Sequence, residues 1–227
     1  MKPIVVYASL VLCLAAFAAY AKTGAVCSLY TTHDCLNLSK TRSEQALSTR
    51  DLKEKRRLAK EGLFYAGQCL KENTKSVPCL YYRAVNRGID LETRTIGVKK
   101  GLKEMISDFK TVIELDDSID NGGAYLALGH VYMEAPALPI MGNEIRKNMG
   151  LAEAYALKAL SVAPKDAANL KLAGMIAFKK RDYKKSLVYF KTALKHHRSK
   201  KSPGVLDEGL TDELKNWIKK AKRKLRE

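Results

Sequence analysis

Two arginines one helical turn apart, Arg83 and Arg87, could form a fork for the carboxylate of a peptide or a small organic acid, because each planar guanidinium presents paired N–H donors. They could equally stand as solvated side chains on a helix exterior. His130 and Glu134 are also one turn apart, but the second histidine of an HExxH zinc motif is missing, so they read as an ordinary hydrogen-bonded pair. No GxSxG elbow and no GxxxxGK phosphate loop occurs, and GVKKGLK at 97–103 has the wrong spacing for the latter. The sequence therefore predicts no enzyme, no cofactor and no metal site. It predicts a binding protein.

The cysteines carry covalent rather than catalytic chemistry. No CxxC or CxxCH occurs. Lys2, an apolar run over 4–17 and Ala19-Tyr20-Ala21 have the pattern of an export signal cleaved after Ala21, the alternative being an uncleaved anchor. Lipidation is disfavoured, since Cys13 follows Leu12 and Cys27 follows Val26. Export across an inner membrane predicts a periplasmic protein in which Cys27, Cys35, Cys69 and Cys79 form structural disulfides, with three pairings possible.

Elements able to position these residues show as a repeat. A small-then-aliphatic pair recurs late in four helical patterns, at Cys69-Leu70, Val112-Ile113, Ala159-Leu160 and Ala193-Leu194, with spacings of 43, 47 and 34 residues. The last spacing is the tetratricopeptide period, in which each repeat is two antiparallel helices. Leu170, Gly174, Tyr183, Phe190, Ala193 and Leu194 stand at the packing positions of that family's pattern, with Ser186 in place of the usual alanine. The fold class expected is all-α, a tetratricopeptide-like α-solenoid of about three repeats with flanking helices. The expected organisation is a signal peptide at 1–21, a cysteine-containing segment at 22–45, repeats at 46–200 and an amphipathic helix at 206–227. That last helix reads as a terminal cap or as a helix lying on anionic lipid. Within this register Cys69 ends one second helix and Cys79 opens the next first helix, which favours Cys69 with Cys79 and leaves Cys27 with Cys35. A crossed pairing remains the alternative.

Two repeats are longer than the period. Ala84 to Met105 is 21 residues and Gly129 to Ala152 is 23, against about 12 in the family, so both carry extra residues between their two helices, on one edge of the array. Such insertions commonly build binding surfaces. In the second, Pro136 and Pro139 stiffen the backbone, so Leu138, Ile140 and Met141 would form an apolar flap that meets a partner or plugs a gap.

NGGAYLALGHVYMEAPALPIMGN, ALKALSVAPKDAANLKLAG and CLYYRAVNRG, within about 60–195, resemble the periplasmic TatT-like proteins, tetratricopeptide companions of TRAP-type solute transporters. Two departures are Ala124, where that family often has proline, and the missing lipidation site. The resemblance implies a role beside a periplasmic solute-binding protein or its organic-acid ligand. The alternative is an envelope scaffold that captures an acidic peptide segment. First helices line the groove of such a solenoid, so Tyr82, Arg83, Arg87, Tyr125, His130 and Tyr132 are the groove candidates and Pro136, Leu138, Pro139 and Met141 the flap candidates, with about half of the tyrosines expected in the core.

Charge narrows the partner. Lys and Arg number 41 against 24 Asp and Glu, a formal +17, which favours acidic surfaces and permits contact with anionic membranes. No aromatic residues alternate with the basic stretches as stacking platforms for bases, so nucleic acid is not expected.

Overall fold

The computed structural model describes residues 31–135, 145–199 and 205–227, the last segment with side chains from 209 onward. The described residues form helices without strands: α1 (Thr32–Ser48), α2 (Leu52–Glu72), α3 (Val77–Glu92), α4 (Val98–Leu115), α5 (Ile119–Glu134), α6 (Met149–Val162), α7 (Ala167–Lys179), α8 (Tyr183–Arg198) and α9 (Val205–Lys224). None of these helices is long and apolar enough to cross a membrane. The signal-like stretch and Cys27 lie outside the described residues.

Local sequence sets the helix ends. Thr31 and Asp34 form a reciprocal capping box at the start of α1, while Asp51, Asn148, Asp166 and Asp182 each accept a backbone N–H at the start of α2, α6, α7 and α8. Pro78 occupies the first turn of α3, where its missing N–H costs nothing. Pro164 follows the end of α6.

Consecutive helices pair as hairpins, α1/α2, α3/α4, α5/α6 and α7/α8, and α9 packs on α8. The first helices also touch one another in sequence, α1 on α3, α3 on α5 and α5 on α7. This is a tetratricopeptide-like α-solenoid. The core is accordingly a row of clusters: Leu80, Phe109, Val112 and Leu128 in the middle, Met133, Ala152, Leu172 and Ile176 next, then Leu170, Phe190, Ala193 and Leu214. The small residues of the repeat do what their spacing implies. A Cβ on Gly129 would sit 2.6 Å from the Leu172 side chain, and one on Gly174 would sit 2.6 Å from the Phe190 ring.

Three features depart from the expectation. The array starts at Thr32, inside the segment expected to precede the repeats; α1 buries Cys35, Ser39, Ser43 and Ala46, and Ser39 donates to the Gly62 carbonyl at 2.9 Å. The extra residues of the α3/α4 repeat do not form an insertion loop. They lengthen α3 to 16 residues and α4 to 18, leaving only residues 93–97 between them. Finally, α5 begins with Asp120, Asn121 and Gly122 all in the left-handed region, at φ 49, 57 and 79. That turn is held from both sides: Tyr81 donates to Asp120 at 2.5 Å and Asn169 donates to the Asn121 carbonyl at 2.9 Å.

Candidate functional site

Arg83 and Arg87 do stand one turn apart on α3, but they face α4 of their own hairpin. Arg83 donates through Nε and Nη2 to both oxygens of Asp108, at 2.8 and 2.7 Å, and Arg87 Nη1 lies 2.9 Å from Glu104. Glu104 and Asp108 are themselves one turn apart, and the antiparallel helices match the pairs in reverse order. The carboxylate fork is thus already filled from within.

The tyrosines divide as their surroundings require. Tyr125 and Tyr132 are 8% and 5% exposed and face α6, with ring centroids 6.3 and 5.8 Å from that of Tyr155. Tyr125 donates to Asp117 at 3.0 Å; burial first, then that bond, raises its pKa. Tyr82 is half-buried, edge-on to Tyr81 at 5.2 Å. Burial, then the charges of Asp120 and Glu44, pushes its hydroxyl up to about 12. Tyr81 is buried and its pKa rises as well, through burial and then the Asp120 charge.

His130 lies among the first helices. Glu134 does not hydrogen-bond it but turns to Lys179 of α7 at 3.2 Å. Lys171 of α7, a charge that acts on His130, pairs with Glu213 of α9 at 2.8 Å. Burial, then Lys171, lowers the pKa of His130, so the ring is neutral at pH 7. No group of three or more His, Cys, Asp or Glu able to hold a metal ion occurs among the described residues.

Cys69 and Cys79 are disulfide-bonded across the α2–α3 turn, as the repeat register favours. Cys35 is buried in α1, and its expected partner Cys27 lies outside the described residues. So do Pro136, Leu138, Pro139, Ile140 and Met141 of the flap. Just beyond the flap, Ile145 is 2% exposed and belongs to the middle cluster with Ile106 of α4. Between them lies a concavity of about 290 Å3 that Lys103, Lys110 and Tyr132 also line.

No protein-family model matches the chain, and no curated protein matches it. Two solved structures of MamA resemble it. One is 17% identical over 78% of this chain and 96% of its own, with a TM-score of 0.43. The other is 16% identical over 85% and 92%, with a TM-score of 0.41. At these values the hairpin array stands on its own packing.

The last helix holds what residue-by-residue reading missed. Much of its apolar stripe is taken up by packing: Trp217 stacks on Phe190 at 5.4 Å and meets Phe178 edge-on at 5.4 Å, and Leu214 and Ala221 are fully buried, while Leu225 is 41% exposed. Along its open side runs a concavity of about 850 Å3, floored by Leu194 of α8 and Ile218 and edged by Lys215, Lys219, Lys222 and Arg226. The signal was the i, i+4, i+7, i+11 spacing of those four cations beside an aliphatic residue.

Proposed function

We propose that the protein is a non-enzymatic adaptor that holds a protein partner through acidic surfaces of that partner. The observation that carries this reading is where its charges stand. Between the helices of the array, Arg83, Arg87, Lys171 and Lys179 are matched to Asp108, Glu104, Glu213 and Glu134, and so serve the array. At the C-terminal end the balance is different: residues 214–226 contain seven Lys or Arg and no acid. While Lys215 pairs with Asp212 and both Arg223 and Lys224 with Glu227, Lys219, Lys220, Lys222 and Arg226 have no ion-pair partner among the described residues. Such a field draws in acidic partners and sets orientation at encounter.

Export to the periplasm and a TRAP-type solute-binding protein as partner form the finer part of the proposal, supported by the sequence resemblance over about 60–195. The second reading, an envelope scaffold for acidic peptide segments, is favoured by the aliphatic floor beside the cations, which a peptide side chain would fill. The test is capture from a periplasmic extract of the native host on the tagged protein, eluted with a salt step from about 50 to about 500 mM, over which exposed charges become screened. Salt elution of a solute-binding protein supports the first reading, and elution of another acidic envelope protein the second. A partner retained without salt dependence, or none, removes the charge-based adaptor.

A further inference from the structure

We propose that the concavity along α8 and α9 is the docking site of an acidic amphipathic helix, a proposal that rests on the adaptor reading and names its site. The floor is aliphatic, from Leu194 and Ile218, and the edge is cationic. Lys215, Lys219, Lys222 and Arg226 form one stripe about 16 Å long, the length of three helical turns. Lys219, Lys222 and Arg226 are exposed and have no ion-pair partner among the described residues, whereas Lys215 pairs with Asp212 at 2.9 Å. On α8, Lys191, Lys195 and Arg198 are exposed at i, i+4 and i+7 and form a second stripe in the same sequence as Leu194.

The chemistry selects among anionic partners. Nucleic acid would need an aromatic face on which to stack bases, but Trp217 is turned against Phe190 and Phe178. A bilayer would need a broad apolar face to insert, and Leu214, Trp217 and Ala221 are committed to the α7–α8 packing, which leaves only Leu194 and Ile218 as a narrow apolar strip in the concavity. A helix with leucines at i, i+3, i+4 and i+7 and glutamates on its flanks satisfies both parts at once: aliphatic side chains settle on Leu194 and Ile218, and carboxylates meet the stripe. Removing those aliphatic groups from water supplies affinity that charge alone lacks.

The test uses the full chain and a fluorescein-labelled peptide of about 15 residues, roughly four helical turns, with leucines at that spacing and glutamates elsewhere. Its binding is read by anisotropy. The triple variant K219E/K222E/R226E should bind at least about tenfold more weakly than the wild type. A control of equal charge change on exposed residues elsewhere, K53E/K60E/K158E, should keep most of the affinity, and matching circular dichroism of the two variants confirms an intact fold. A peptide with its leucines replaced by glutamine should also bind several-fold more weakly. Equal losses in the two variants, equal binding of the glutamine peptide, or tighter binding to single-stranded DNA or to phosphatidylglycerol vesicles would overturn the site. If the triple variant still captures the salt-eluted periplasmic partner, the adaptor stands and this site does not.

Discussion

Replacing Arg83 with alanine separates a structural arginine from a ligand-binding one. Arg83 makes two charged hydrogen bonds to Asp108, whose side chain is 10% exposed, while Arg83 itself is 30% exposed. Breaking a fully buried pair costs about 3–5 kcal/mol and an exposed pair contributes less than about 1 kcal/mol, so R83A should cost about 2–3 kcal/mol. In a chain of this size each kcal/mol lowers Tm by about 2–4 °C, giving a fall of about 4–12 °C. The assay is thermal circular dichroism of R83A, D108A and R83A/D108A. The double variant should be less destabilised than the sum of the two singles, because removing both partners leaves no uncompensated buried charge. Peptide binding by R83A, measured below its transition, should match the wild type. An R83A protein that melts with the wild type but loses its partner would refute this reasoning and return Arg83 to the ligand.

Other outcomes follow from the same packing. Reducing the Cys69–Cys79 disulfide releases a loop with a sequence separation of 10, worth about 2.7 kcal/mol on the chain-entropy model, so dithiothreitol should lower Tm and raise hydrogen exchange first at the α2–α3 turn. Gly174→Val should destabilise by about 2 kcal/mol or more in urea unfolding, because its Cβ would lie 2.6 Å from the Phe190 ring. His130 has its pKa lowered in the folded state, so the unfolded chain takes up a proton first as pH falls; stability should decline below about pH 6.5, and H130Q should flatten that slope. Tyr81→Phe should cost about 1–3 kcal/mol by removing the bond that holds Asp120 in its left-handed turn.

The fold was legible wherever small and aromatic residues recur at helical spacing. Gly129, Gly174, Phe190 and Ala193 gave the register, and the register placed Cys69 beside Cys79. Legibility stopped at α1, whose buried stripe is Cys35, Ser39, Ser43 and Ala46: small and largely polar, it shows little hydrophobic periodicity, and its place is set by tertiary hydrogen bonds such as Ser39 to Gly62. The extra residues of the α3/α4 repeat looked like a loop because the period counts residues and not turns, so helix extension and insertion leave the same gap. The internal pairing of the arginine fork was hidden for a related reason. Arg83 and Arg87 announce a carboxylate pair, and the matching Glu104 and Asp108 carry the same one-turn spacing on the next helix, but only antiparallel pairing of α3 with α4 brings them together. The cationic stripe was visible as composition; its aliphatic floor is completed by Leu194, from another helix.

The most direct test of an adaptor whose interhelical charge pairs serve the fold and whose C-terminal charges serve the partner is a hydrogen-exchange footprint of the full chain with and without the captured partner. Protection on binding should fall on 191–198 and 215–226 and leave the α3–α4 hairpin, with Arg83 and Arg87, unchanged. Protection confined to α3 and α4, with the C-terminal helix unaffected, would contradict the account.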